Sequence, residues 1–156
     1  MSEFFRRGLS EIHFCPTVSN LAAPSRAEVT AGTDLSPAVA ALNGFNFKNS
    51  PIMTPKLSTT FTTQIPGEDT SDTSTIDFYD DDADDAMRSA LVKGTEGFLV
   101  FFPYGDVPGA RAEVWPAIST GVSDQWTMAN EAAKFQVSFA ITDAPEQDAV
   151  VPAAGS

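Results

Sequence analysis

The densest cluster of chemically reactive side chains is an acidic run from Asp80 to Asp85, interrupted only by Ala83. Calcium takes about six to eight oxygen ligands, and carboxylates are common among them. The run lacks the glycine and the closing glutamate that an EF-hand loop places at fixed offsets. Aspartates at a helix start accept hydrogen bonds from free amides and meet the positive end of the helix dipole. We therefore interpret the run as a helix start rather than a calcium site.

The only histidine and the only cysteine, His13 and Cys15, stand two residues apart in a short alternating segment. In a strand this spacing puts both side chains on one face, so a cysteine–histidine nucleophilic pair is one interpretation. No third residue with a characteristic spacing would orient the histidine. An exposed histidine beside a buried or half-buried thiol is the alternative that we favour. The two residues are also too few for a zinc site of about four ligands.

Other signals of catalysis are missing from the sequence. It contains 21 acidic residues, but no two of them stand out as the carboxylate pair of a glycosidase. The glycine-containing segment 94–97 follows a predicted helix, whereas a phosphate loop opens one. We therefore predict that the protein is not an enzyme and has no catalytic residues, no bound metal and no cofactor.

A strand–helix–strand unit over residues 74–102 is expected to hold the core. Alternation in residues 74–79 predicts a strand that buries Ile76 and Phe78. The uniformly apolar residues 98–102 predict a strand covered on both faces, with the helix over one face. The predicted helix has an apolar face of Ala83, Met87, Ala90 and Leu91, an Asp84–Arg88 pair at ion-pair spacing, and Gly94 at its C-cap.

Alternating segments elsewhere raise the count to about seven or eight strands beside this single helix. Their succession as hairpins favours a mainly β fold, an antiparallel β-sandwich or a partly closed barrel. Pro116 indicates an edge or a bulge, and residues 121–130 are a predicted loop carrying Trp126 and Met128. Strands are expected at 12–15, 26–30, 45–48, 57–65, 111–116 and 135–141, and residues 38–42 are either a short helix or an edge strand.

Length and charge favour one domain that does not grip nucleic acid. A chain of 156 residues buries roughly 68–70% of its unfolded surface. We predict an N-terminal arm over residues 1–15, a domain over residues 16–145 and a tail over residues 146–156. No apolar run approaches the ~20 residues of a membrane span, and the lone cysteine favours a reducing cytoplasm. The formal charge of −12 opposes tight phosphate binding.

Two neighbouring segments suggest a surface for contacts with other molecules. Residues 49–56 contain two prolines and are expected to form an irregular loop, whose apolar tip, Ile52 and Met53, is unusual for a monomer. The tip could fold back or dock on a neighbour, and we favour docking. The following predicted strand, residues 57–65, has one face that is wholly polar and uncharged.

The chain resembles the major tail proteins, or tail tube proteins, of phages with long non-contractile tails, especially phages of actinobacteria. The order and spacing of many short segments across roughly residues 16–152 carry the resemblance, since this family has no catalytic signature. These segments are Pro24-Ser25-Arg26-Ala27-Glu28, residues 31–35, Gly44-Phe45, residues 61–67, residues 75–79, Gly94-Thr95, residues 97–102, Asp106, residues 113–116, residues 132–139 and Pro145.

The resemblance implies two packed antiparallel sheets flanked by one helix, and a structural role in the virion. Six copies form a ring, and rings assembled in the host cytoplasm stack around the tape measure protein, between the tail terminator and the distal tail proteins. No membrane is involved. A long hairpin loop reaches the next ring, and the two terminal arms add further contacts. In this chain the loop would comprise Asn49, Ser50, Pro51, Ile52, Met53, Thr54, Pro55 and Lys56.

The resemblance also implies that phage DNA leaves through the tube without specific binding. Uncharged polar side chains suit such a channel, so we expect Thr60, Thr62 and Gln64 to face it. Two other functions stay open. One is a different virion component with a related fold, such as a tail terminator or connector. The other is a monomeric binding domain with an acidic surface.

Overall fold

The structure of the protein, a computed structural model, describes residue 3, residues 6–80 and residues 86–153. These ranges contain ten strands, two short α-helices and one 3₁₀ turn. The strands are β1 (Glu11–Cys15), β2 (Thr33–Asp34), β3 (Val39–Asn43), β4 (Lys48–Thr54), β5 (Thr63–Thr70), β6 (Ser74–Tyr79), β7 (Glu96–Phe102), β8 (Arg111–Gln125), β9 (Lys134–Ile141) and β10 (Glu146–Val150); the helices are α1 (Arg26–Ala31) and α2 (Ala86–Ala90), and the 3₁₀ turn is Ser36–Ala38.

Eight strands form one antiparallel sheet in the order β2-β1-β7-β8-β9-β6-β3, with β10 also paired to β8. The long β8 joins two halves, because its first part pairs with β7 and β10 and its second part with β9. Side chains from both halves share one buried cluster, which includes Phe14, Leu99, Trp115 and Phe139. The predicted fold class is confirmed as a sandwich-like arrangement that is not closed into a barrel.

The predicted central unit is confirmed in its two strands. Ile76 and Phe78 of β6 are fully buried. In β7, Leu99 belongs to the shared cluster, whereas Val100 belongs to a second cluster on the opposite face. Leu91, just after α2, is buried in the same cluster as Leu99. Residues 81–85, and with them the predicted helix start and the Asp84 partner of Arg88, lie outside the described residues. Among the described residues, Arg88 pairs with Asp124.

Residues 26–30, predicted as a strand, form α1 instead. A capping box explains the difference: the Glu28 amide donates to Ser25 Oγ at 3.1 Å, and the Ser25 amide donates to Glu28 Oε1 at 2.9 Å. These two bonds satisfy amides that a helix start leaves free. Val29 of α1 is buried in the cluster on the second face of β7. The second face of β7 is therefore covered by a helix that the alternation did not predict.

The predicted tail begins with a strand, because β10 pairs with the first part of β8. Ala149 and Val151 are buried, so apolar residues in this Ala- and Pro-rich segment contribute to the core. At the other end of the chain, the predicted arm closes with β1, which pairs with β7. Pro116 lies inside β8, where the neighbouring strand changes from β10 to β9, so its missing N–H interrupts neither pairing.

Several predicted boundaries also differ. The loop expected at residues 121–130 begins only after Gln125, because β8 continues to pair with β9 up to that residue. Residues 38–42 fall mostly in β3, an edge strand. Residues 45–47, expected as part of a strand, are irregular, and Phe45 instead packs edge-on against Phe101 and Trp115.

Candidate assembly surface

A separate two-stranded sheet, the β4–β5 hairpin, stands apart from the eight-stranded sheet. Its strands pair from Lys48 opposite Thr70 to Thr54 opposite Thr63. The predicted irregular loop at residues 49–56 is therefore mostly strand β4. The predicted strand at residues 57–65 is mostly the turn, which spans residues 55–62. The alternation of apolar and polar residues led to a wrong prediction here, because neither face of this hairpin meets the core. In such a segment alternation does not report which side chains are buried.

Pro51 is accommodated in β4 by a shift in register between Ser50 and Ile52. At this shift the side-chain amide of Asn49 makes the hydrogen bonds that backbone pairing would otherwise provide. Its Nδ2 donates to the Gly67 carbonyl at 3.0 Å, and its Oδ1 accepts from the Gly67 amide at 3.1 Å. A Cβ on Gly67 would lie 2.0 Å from the Ser50 carbonyl oxygen, so only glycine permits this close approach.

The hairpin exposes large apolar side chains in its turn and along its strands. Leu57 and Phe61 in the turn have exposed fractions of 107% and 73%. Ile52, Met53 and Ile65 are about half exposed. Lys56 is the only charged residue between positions 49 and 67. Monomeric proteins seldom expose contiguous apolar surface of this kind, and such patches mark interaction sites.

The base of the hairpin is fixed by polar contacts to the segment before β6. Lys48 Nζ lies 2.7 Å from Asp72 Oδ2, and the Asn46 side chain bonds both the Asp72 side chain and its amide. Residues 69–71 line one shallow pocket with residues 141–145, at the end of β9 and just after it. The hairpin therefore leaves the sheet at the end where β6 begins and β9 finishes.

The opposite end of β9 carries a second exposed apolar group. Gln125, the last residue of β8, is opposite Lys134, the first residue of β9. The loop that joins them exposes Trp126 and Met128 to 91% and 104%. With a rise of about 3.4 Å per residue, the eight residues of β9 separate this loop from the hairpin base by about 24 Å.

The side chains expected to face a channel do not share one strand. Thr60 and Thr62 lie in the hairpin turn, and Gln64 lies in β5 opposite Met53. All three are exposed. The prediction of a single polar strand face over residues 58–64 is wrong, because pairing with β4 begins only at Thr63.

His13 and Cys15 do not form a nucleophilic pair. His13 Nε2 lies 3.2 Å from Glu11 Oε1, while the Cys15 thiol is buried in the cluster beneath α1. Burial, reinforced by the negative charge of Glu28, raises the pKa of Cys15 to about 11. The thiol is therefore protonated at neutral pH and is a poor nucleophile. Contrary to the exposed histidine that we expected, His13 is also buried.

Pairing of β1 with β2 gathers Glu11, His13 and Asp34, whose ligand-type atoms lie within 4.8 Å of one another. The sequence concealed this group because Asp34 is distant in the chain. Both Glu11 oxygens already accept hydrogen bonds, from His13 Nε2 and from the Asp106 amide. These bonds account for the geometry without an ion, so the expectation of no bound metal stays a prediction.

No helix in the described part of the chain is long and apolar enough to cross a membrane. Comparison with solved structures shows a shared fold at low sequence identity. One similar chain comes from the sheath/tube terminator of an extracellular contractile injection system, PVC, with a TM-score of 0.65, 9% identity, and coverage of 94% of this chain and 97% of that one.

Two further structures have the same fold. The tube terminating cap of the anti-feeding prophage gives a TM-score of 0.61 at 10% identity, covering 94% of this chain and 93% of the other. The tail of an empty GTA particle gives 0.60 at 13% identity, covering 94% of this chain and 100% of the other.

Searching curated protein sequences yields no match. The family model described as "Phage tail tube protein" matches residues 1–154. This match covers both parts of β8, the hairpin and the loop with Trp126. The proteins of this family are structural components of tails and not enzymes, in keeping with the buried, protonated Cys15. The chain therefore belongs to the phage tail tube protein family.

Proposed function

We propose that six copies of the chain form a ring and that the rings stack head to tail into the tube of a phage tail. The observation that carries this proposal is the family match over residues 1–154. A GTA tail of the same fold is described as refined helically with C6 symmetry, which supports six copies per ring. A contact between two different surfaces repeats without closing, and so produces a filament.

In this proposal the tube encloses the tape measure protein and ends at the tail terminator and distal tail proteins. The subunits assemble in the host cytoplasm, and the virion has a long non-contractile tail. Electron microscopy of purified protein tests the central point: tubes are expected. A sheath protein bound around the tubes in virions would contradict the proposal of a non-contractile tail but not the proposal of a tube.

We propose that residues 49–56 of the hairpin contact the next ring. Ile52 and Met53 support this, because both are about half exposed in the single chain. The double variant Ile52→Asp, Met53→Asp should remain folded but fail to grow tubes, since docking would bury unpaired charges. The variant Ile52→Val, Met53→Leu retains apolar surface and should still grow. An unfolded aspartate variant would instead mean that these residues support their own domain.

We further propose that the channel conducts DNA without holding it, with Thr60, Thr62 and Gln64 on its wall. The formal charge of −12 supports this, because added lysine or arginine would attract phosphates regardless of sequence. Phages carrying Thr62→Lys and Gln64→Lys should eject DNA more slowly, with a stronger salt dependence. Thr62→Ser with Gln64→Asn is the uncharged control. Unchanged ejection by the lysine variant, in virions with normal tails, would place these residues elsewhere.

A tail terminator is the second candidate function. Two of the similar structures are described as a sheath/tube terminator and a tube terminating cap. A terminator forms a single ring that does not stack on itself. Single rings in micrographs, at concentrations where a tube protein polymerises, would favour this function. Monomers would favour an acidic binding domain.

A further inference from the structure

Two apolar groups occupy opposite ends of the same strand pair. The hairpin base lies where β6 starts and β9 finishes, as the shared lining of residues 69–71 and 141–145 shows. The loop of residues 126–133, here named the Trp126 loop, lies where β6 finishes, because the Asp80 amide donates to the Ala133 carbonyl at 2.9 Å. Head-to-tail stacking brings opposite ends of successive copies together.

We propose that the hairpin turn of one copy docks on the Trp126 loop of a copy in the next ring. This inference rests on the proposed function and names the receiving surface for the hairpin. Leu57 and Phe61 on one side and Trp126 and Met128 on the other are the four most exposed large apolar side chains in the described residues. Their mutual burial removes apolar area from water at both ends of each copy.

Charge at the two ends is complementary. Lys56 adjoins Leu57 in the turn and is the only charged residue of that segment. Near the Trp126 loop stand three acids, Asp80, Asp124 and Glu131. Arg88 pairs with Asp124 and Lys134 lies 4.0 Å from Glu131, so three acids against two bases leave an acidic excess. Opposite charges steer two surfaces into one orientation and suppress the wrong one. A turn that approached a second turn would instead bring two lysines together.

Size and chemistry at the loop also fit a protein partner. Trp and Met are enriched in the centres of protein interfaces, where a large aromatic side chain contributes much of the affinity. The whole loop from residue 126 to residue 133 is exposed, and within it Trp126 and Met128 have no role in the buried clusters. Replacing them therefore tests an interface without removing core contacts.

Two variants with complementary defects test the docking. The turn variant, Leu57→Asp with Phe61→Asp, keeps an intact loop, and the loop variant, Trp126→Asp with Met128→Asp, keeps an intact turn. Neither should grow tubes alone. After separate purification, an equal mixture should form stacks of two rings and stop there, because the remaining ends are both defective. Mass measurement and negative-stain images count the rings.

Conservative changes at the same positions provide the matched control. Trp126→Phe with Met128→Leu retains apolar area and should grow tubes. Val107→Asp adds a charge to a half-exposed apolar position in the turn between β7 and β8 and should grow as well. Circular dichroism and thermal unfolding of every variant should match the wild type.

The outcomes separate this inference from the proposed function. A folded loop variant that grows tubes like the wild type overturns the docking but leaves the tube intact. Mixtures without two-ring stacks also overturn it, because the two defects then do not complement. Wild-type protein that stays monomeric at high concentration overturns the proposed function and the docking together. Two-ring stacks that form in the mixture, but in neither variant by itself, would establish the contact.

Discussion

At the scale of single residues, Arg26 connects three segments that are far apart in the chain. Its two terminal nitrogens each donate to an oxygen of Asp106 at 2.7 Å, and one also donates to the Pro152 carbonyl at 2.8 Å. The bond from Arg26 holds the pKa of Asp106 below its usual value. α1, the turn after β7 and the segment after β10 are thus joined at one guanidinium, whose planar fork suits such bidentate contacts.

Asp106→Asn should lower the free energy of unfolding by about 1 kcal/mol at pH 7, the scale of a partly exposed bidentate pair. Since the folded pKa is depressed, this stabilisation is complete above the unfolded pKa of about 3.9 and disappears as pH falls through the lower folded pKa. Urea unfolding at pH 7 and pH 3 should therefore show a smaller difference between wild type and variant at pH 3.

Asp148→Asn, at an exposed position of β10, provides the control for this measurement. Its unfolding should follow the wild type at both pH values. A difference between wild type and Asp106→Asn that grew toward low pH would show that the ion pair with Arg26 does not stabilise the fold.

At the scale of elements, the Asn49 side chain joins the two strands of the hairpin where their register shifts. Because the Asn49 side chain donates to the Gly67 carbonyl and to Asp69 Oδ1 and accepts from the Gly67 amide, Asn49→Ala removes three hydrogen bonds, worth about 0.5–1.5 kcal/mol each. Asn49→Asp should keep the acceptor for the Gly67 amide, lose both donated bonds and place a carboxylate opposite Asp69. We expect faster amide exchange in β5 for both variants than for the wild type, with exchange in β9 unchanged in both. Equal protection of β5 in all three proteins would assign the stability of the hairpin to other contacts.

How far each element was predictable depended on burial. β6, β7 and β9 were predicted correctly because one or both of their faces meet a core. Their apolar residues therefore fall at the positions that are buried. α1 was missed because six residues are too few to show a helical period, although Ser25 and Glu28 have the spacing of a capping box. In the hairpin, Leu57 and Phe61 alternate without a core behind them. The sequence therefore predicted that the assembly surface is apolar, but it did not predict which of its residues form strands and which form the turn.

At the scale of the whole molecule, assembly should not require a metal ion, despite the excess of acidic residues. Replacing Asp80, Asp81 and Asp82 with Asn should lower stability by at most about 1–2 kcal/mol, on the scale of helix-dipole contacts. Tubes should survive EDTA, as judged by light scattering and electron microscopy. Tubes that dissolve in EDTA and return with added calcium would contradict this, and magnesium would serve as the matched control.

The exposed hairpin has a consequence for how a tube begins. A two-stranded sheet without a covered face is at best marginally stable in water, so its amides in the free subunit should exchange much faster than those of β9. In tubes the same amides should be protected. Hydrogen exchange followed by mass spectrometry over residues 48–70, with β9 as internal reference, measures the contrast; equal protection in both states would refute it.

If docking makes the marginally stable hairpin more ordered, the first contact between two free rings carries an entropic cost. That cost is smaller at the end of an existing tube. Growth would then show a lag that preformed tube fragments abolish. Elongation from a seed would outrun spontaneous initiation, and a subunit pool could stay unpolymerised until a template appears. The marginal stability of one hairpin would thereby act as a kinetic barrier that limits the number of tubes.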